Sequence, residues 1–210
     1  MISQVVEALE HFKEELREHK WFPSPGESPS WWAGYSDQFH IAVTAVLVRM
    51  NRWEQAERAM RELAKRGLDS PEAIARAPEG ELEEAIRGVV FRRAKARHLK
   101  ILAEAFLAQG SLREKIMLAP IGRETREAIL LFALNEPLFP LSRQAKRVLS
   151  RYGIRLGRRE AREIEEALGR DLYKLKLLHA SLTVIARLYC KPRRTRCEGC
   201  PLSPTCSKIL

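Results

Sequence analysis

Apolar side chains recur at three- and four-residue steps along nearly the whole 210-residue chain, a spacing that fits one face of an α-helix and not a strand. Ile2, Val5, Val6, Leu9, Phe12 and Leu16 form the first such face. The stretch WFPSPGESPSWWAGY then breaks any regular element with its prolines and glycines and reads as a linker to the main body. Ser36 or Asp37 is placed to cap the next helix, whose residues from Phe39 to Leu47 are nearly all apolar and predict deep burial. Ser70-Pro71-Glu72 puts a cap before a proline at the first helical position. Further helices are predicted over about 79–86, 93–109, 123–134, 142–152, 158–168 and 171–189. No period-2 pattern and no internal repeat interrupts this reading. The expected class is all-α.

A composition of 45% hydrophobic and 30% charged residues excludes a disordered or collagen-like chain. No apolar run approaches the roughly 18 residues that span a bilayer, so no membrane role is expected. The N-terminus lacks the basic start and apolar block of a secretory signal, which predicts a cytoplasmic, nucleoid-associated protein. Two Asn against 37 Lys+Arg point to a thermophile. The net charge of +10 is unevenly spread. Residues 54–84 hold nine acids against five bases, whereas Arg87, Arg92, Arg93, Lys95, Arg97 and Lys100 share a stretch with no acid. Arg143, Lys146, Arg147, Arg151, Arg155, Arg158 and Arg159 share another. Most charge runs are solvated helix faces, but two on so basic a chain predict a polyanion partner, a nucleic acid.

All four cysteines fall in the last 21 residues, as Cys190, Cys197, Cys200 and Cys206, spaced C-x6-C-x2-C-x5-C. A disulfide pair needs an oxidising compartment that nothing here marks. Structural zinc favours two close pairs, and only Cys197 and Cys200 are close. Four thiolates in one short loop also suit a [4Fe-4S] cluster, and these readings stand side by side on spacing alone.

A second signature is Leu118-Ala119-Pro120-Ile121-Gly122-Arg123-Glu124-Thr125. A helix enters over Leu112 to Met117, the chain turns tightly, and another helix leaves with Arg123. Such a turn offers free backbone N–H groups at a positive helix end, which suit a phosphate oxygen; an αα-corner without a ligand is the plain alternative.

The tail, including CEGCPL from Cys197 to Leu202, resembles the cluster loop of the endonuclease III and adenine-mismatch DNA glycosylases. Val90 to Leu99 resembles their "GFxxxKAxxL" helix start, and Ile41 to Trp53 their buried second helix. From about residue 30 to the C-terminus the chain is identified as a member of the endonuclease III-like helix–hairpin–helix (HhH-GPD) superfamily. The resemblance implies a six-helix lobe over 37–140 with the helix–hairpin–helix at 112–134, and a cluster lobe from 1–36 plus 141–210. It also implies a [4Fe-4S] cluster on Cys190, Cys197, Cys200 and Cys206, double-stranded DNA as partner, a monovalent cation at the hairpin, and a monomer. Relatives kink DNA, flip a nucleotide out and cleave its N-glycosidic bond. Phosphate contacts are expected from Pro120, Ile121, Gly122, Arg123 and Thr125, from Arg143 and Lys146, and from Arg193 and Arg194 on the rigid tail loop.

The family's catalytic residues do not carry over. Bifunctional members place a Schiff-base Lys where Glu124 stands, and a carboxylate cannot be that nucleophile. Nearly all members carry an Asp at the start of the helix after the hairpin unit, where this chain has Ser142, which also suits a helix cap. Pro120 replaces the hairpin's first Gly and removes an N–H donor, altering the phosphate grip or its cation. Arg49 stands where relatives carry a Gln that fills the gap left by a flipped base. Two expectations follow: a monofunctional glycosylase in which Glu124 supplies the carboxylate with help from Ser142, or a DNA-binding homologue without chemistry. RNA binding suits the charge but not the hairpin. His98 and His179 are further candidate catalysts, and Trp31, Trp32, Tyr35, Phe39 and His40 candidate stacking residues, although packing is the commoner use of such side chains.

Overall fold

A computed structural model of the chain describes residues 1–19, 32 and 34–209. These residues form helices joined by turns, with an isolated antiparallel bridge between Cys190 and Thr195. No described helix is long and apolar enough to cross a membrane. The residues divide into two compact units, one within Met1–Gly34 and Asn135–Leu210, the other Tyr35–Leu134.

The Tyr35–Leu134 unit holds α3 (Gln38–Val48), α4 (Trp53–Lys65), α5 (Pro71–Arg76), α6 (Glu79–Ala85), α7 (Arg92–Leu107), α8 (Leu112–Leu118) and α9 (Arg123–Phe132). Helix α3 is its centre, with α4, α7 and α9 packed around it, and Phe39 through Leu47 are buried except for the half-exposed His40. A helix apolar on every side is stable only when neighbours cover it all round. Asp37, not Ser36, caps α3 by accepting the His40 N–H at 2.8 Å. Ser70 caps α5 through the Ala73 N–H at 3.2 Å, with Pro71 inside the first turn. The unit has seven helical segments, one more than the resemblance implies. Pro78 pushes Ala77 into extended backbone (φ −62, ψ 139), which separates α5 from α6.

The other unit holds α1 (Ile2–Glu10), α2 (Lys13–Glu18), α10 (Arg143–Tyr152), α11 (Glu160–Ala167) and α12 (Leu172–Leu188). The single amphipathic helix expected over residues 2–16 is split, because the chain tightens at Phe12, whose N–H donates to Leu9 O at 2.9 Å. Every residue of the predicted apolar face is nonetheless buried. Helix α12 is the core, covered by α1, α2 and α10. Gly153 ends α10 at φ +107, a left-handed cap that glycine takes without strain. Most of the expected linker lies outside the described residues.

Candidate functional site

Helix α9 starts from Gly122 without a side-chain cap, so the hairpin turn presents main-chain N–H groups. Ile121 and Thr125 are buried and anchor the turn; Pro120, Gly122 and Arg123 are exposed. His98 of α7 lies close to the Pro120 carbonyl, and the Arg126 guanidinium donates to Ala119 O at 3.1 Å. Gly122 has an ordinary φ of −59, and a Cβ there would meet nothing within 4 Å. Nothing inside the protein therefore requires the glycine. Arg123 pairs with Glu127 at 2.7 Å.

The structure brings together two residues singled out in the sequence. The Arg49 guanidinium lies 2.7 Å from the Glu124 carboxylate, and both groups stay partly exposed. They sit beside a cavity of about 250 Å³ lined by Arg49, Met50, Phe91, Lys95, His98 and Gly122, among others. In the sequence Lys95 belongs both to a basic run and to the Val90–Leu99 stretch that resembles the family's helix start. It is buried, and its ammonium donates to Leu47 O at 2.8 Å and Arg49 O at 2.6 Å, closing the orphan carbonyls at the end of α3. Burial, and secondarily the Arg49 charge, push its pKa down to about 8. Burial also lowers the His98 pKa, with a further push from the Lys95 charge. Met50 and Phe91 flank the cavity at φ 59 each, exposed by 75% and 64%. Left-handed backbone at non-glycine residues is strained, and exposed apolar side chains on it are unusual. Nothing in the residue types at 50 and 91 announces this.

The basic runs are less uniform than their sequence. Lys100 turns inward onto Ala75 O and Ala77 O, closing α5 as Lys95 closes α3. Arg87 and Arg97 pair with Glu84 and Glu79, while Arg92 and Arg93 are exposed. In the second run, Arg147 holds Cys190 O at 2.9 Å and Arg151 holds Lys191 O at 2.7 Å and Pro192 O at 2.9 Å. Lys146 pairs with Glu160, and Arg143, Arg155, Arg158 and Arg159 are exposed.

Ser142 is buried at the start of α10 and accepts the Ala145 N–H at 3.0 Å. It is a helix cap. His179 is buried beside the Trp32 and Phe139 rings, with its pKa pushed down to about 4 by burial. Phe39 packs on the Phe106 ring at 5.1 Å, His40 bonds Asp69 O at 2.9 Å, and Tyr35 lies against His40 and Trp53. These contacts are core and linker packing. Trp31 lies outside the described residues.

All four cysteines are free, half-buried, and line one cavity with Arg151, Tyr152 and Tyr189. As the side chains stand, no three Cys, His, Asp or Glu among the described residues converge in a metal-ligating arrangement. Burial, followed by the proximity of the other three sulfurs, raises the Cys200 thiol pKa. Four soft sulfur donors around one cavity are a donor set suited to a thiophilic metal. Arg193 and Arg194 are exposed on this loop.

Known proteins share both the sequence pattern and the fold. The chain is 28% identical over 204 residues to the thymine-DNA glycosylase of Aeropyrum pernix, covering 89% of this chain and 90% of that one. It is 28% identical over 181 residues to endonuclease III of Thermotoga maritima, covering 81% and 83%. A solved endonuclease III trapped as a covalent DNA intermediate superposes with a TM-score of 0.72 at 19% identity, covering 99% of this chain and 96% of that one. A thermostable thymine-DNA glycosylase superposes at 0.69 with 20% identity, covering 96% of both. Residues 43–172 match the family model described as HhH-GPD superfamily base excision DNA repair protein. This chain belongs to that superfamily.

Proposed function

We propose that the protein is a monofunctional DNA N-glycosylase: it binds and kinks duplex DNA, flips out a damaged or mismatched nucleotide, and hydrolyses its N-glycosidic bond without β-lyase cleavage. The Glu124–Arg49 pair beside the hairpin carries the proposal, because it puts a carboxylate where bifunctional relatives carry an amine. In this scheme Glu124 accepts a proton from water as the water oxygen bonds to C1′. The C1′–N bond breaks, and the base leaves with the electron pair and takes up a proton. No Schiff base forms, since a carboxylate is not an amine. Glu124 also opposes the positive charge that builds on the sugar.

Arg49 has two uses in this scheme. In the free protein it holds Glu124, and on DNA it enters the space left by the extruded nucleotide. A partly exposed ion pair is worth only about 0–1 kcal/mol, so the exchange costs little. Met50 and Phe91 are suited to wedge between unstacked bases, which supports kinking. The open space at Gly122 supports close approach of a phosphate to the hairpin N–H groups, and Pro120 leaves one donor fewer for phosphate or cation. Arg143, Lys146, Arg193 and Arg194 add phosphate contacts.

The tail fits a [4Fe-4S] cluster, which Cys190, Cys197, Cys200 and Cys206 would hold. When bound, it supplies a cross-link for a tail with little core of its own. This chain's residues prepare that loop: Arg147 and Arg151 fix its carbonyls, and Arg151 Nη1 donates to Cys190 Sγ at 3.5 Å.

Commitment of the Ser142 oxygen to its cap favours the second reading, a DNA-binding homologue without chemistry. Single-turnover assays on Glu124→Gln separate the two. The variant is expected to release base about 100-fold more slowly than wild type, with DNA affinity nearly unchanged. Undiminished release by the variant removes Glu124 from the mechanism. Tight, salt-dependent binding with no release by the wild type establishes the second reading.

A further inference from the structure

The segment from Asn135 to Leu141 has no regular structure, yet Phe139 and Pro140 are buried and it runs directly into Ser142. Buried irregular backbone must find hydrogen-bond partners outside any helix or sheet ladder. Here three buried ionisable side chains meet it. Glu165 of α11 accepts the Phe139 N–H at 2.8 Å. Lys176 of α12 donates to the Asn135 side-chain oxygen at 2.6 Å. His179, one turn further along α12, packs against the Phe139 ring at 6.1 Å and lies close to the Pro140 carbonyl. Asn135 itself is left-handed at φ 57, a conformation asparagine takes readily, and its side chain is tied to Lys176.

Carboxylate and ammonium groups are costly to bury, and neutral amides could satisfy the same backbone. Hydrogen bonds to charged groups are stronger and less easily exchanged for alternatives, so such a network selects one backbone conformation. Pinned at Asn135 and Phe139, the segment delivers Ser142 at a fixed position. The Ser142 oxygen accepts the Ala145 N–H at 3.0 Å, so this cap joins the segment to the first turn of α10. We infer that Glu165, Lys176 and His179 are positioning residues that fix the segment leading into Ser142 and the first turn of α10, and that base release from a DNA substrate depends on that segment being held. The part concerning the substrate rests on the glycosylase reading; the part concerning the segment does not.

Amide hydrogen exchange on the full-length protein, read at Phe139 and at Ala145, provides the test, with Glu165→Gln and Glu165→Leu compared. Glutamine keeps an oxygen for the Phe139 N–H; leucine does not. Leucine is expected to speed exchange about tenfold or more at both amides, with glutamine, which keeps an acceptor but not the charge, falling between leucine and wild type. Faster exchange at Phe139 with Ala145 unchanged overturns the inference, since the device would not reach Ser142. If the leucine variant does not fold, Lys176→Gln is read at the same two amides. Single-turnover base release supplies the functional arm: the leucine variant is expected to lose about tenfold in rate while its DNA affinity holds, and glutamine to restore part of the rate. An unchanged rate with both amides loosened overturns the positioning role. Absence of base release from the wild type refutes the glycosylase reading and leaves the exchange result to decide the device.

Discussion

Glu124 and Arg49 neutralise each other across 2.7 Å, so removing either leaves the other without its countercharge. Arg49→Ala is expected to slow base release about tenfold through lost gap filling, although it frees the Glu124 carboxylate. Single-turnover rates check this; a faster variant would mean that the pair only restrains Glu124. His179 gives a pH signature. Its folded pKa is about 4 against about 6.5 when unfolded, so above pH 6.5 both states are neutral and the group contributes no dependence. As pH falls below about 6.5 the unfolded chain takes up the proton first, and up to ~3 kcal/mol is lost by about pH 4. Urea melts of wild type and His179→Gln between pH 7 and pH 4 are expected to converge in slope above pH 6.5 and diverge below it.

Helix termini carry most of the chemistry, and they separate structural from functional roles. Ser142→Ala removes the α10 cap and is expected to cost about 1 kcal/mol in denaturant melts. Ser142→Asp keeps a capping oxygen and adds the carboxylate found in most relatives, so stability should hold while base release rises. Gly122→Ala is expected to leave the melting temperature unchanged or slightly raised, because φ is ordinary and the space open. DNA affinity should nevertheless fall, since the methyl group would stand where a phosphate approaches. Equal affinity in fluorescence-anisotropy titrations would show that the hairpin makes no close contact.

The same elements show what was legible beforehand. Periodicity and caps placed α3, α5, α9, α10 and α12 within a few residues, because burial and capping leave local marks. The split at Phe12 was not legible, since the apolar face continues through it unbroken. Nor was the inward turn of Lys95 and Lys100: their partners are carbonyls 23 to 48 residues away, which no local pattern encodes. Arg49 and Glu124 were each visible as substituted positions, but their pairing depends on how α3 packs on α9.

Across the molecule, the net charge of +10 and the exposed arginines of both basic runs predict DNA binding that weakens steeply as salt rises. Affinity that is flat in salt would contradict a phosphate-dominated contact. The tail loop predicts a brown, iron-containing preparation with about four irons per chain. Iron chelation should loosen the loop held by Arg147 and Arg151, seen as faster exchange at the Arg196 amide, which bonds Tyr189 O at 2.8 Å. The most direct test of the whole account is single-turnover incubation of the wild-type protein with a panel of damaged and mismatched duplexes, each sample split and half treated with hot alkali. The account predicts at least one duplex whose strand breaks only after alkali, marking a released base and an intact backbone. Strand breakage without alkali, or no breakage in any duplex under either condition, would contradict it.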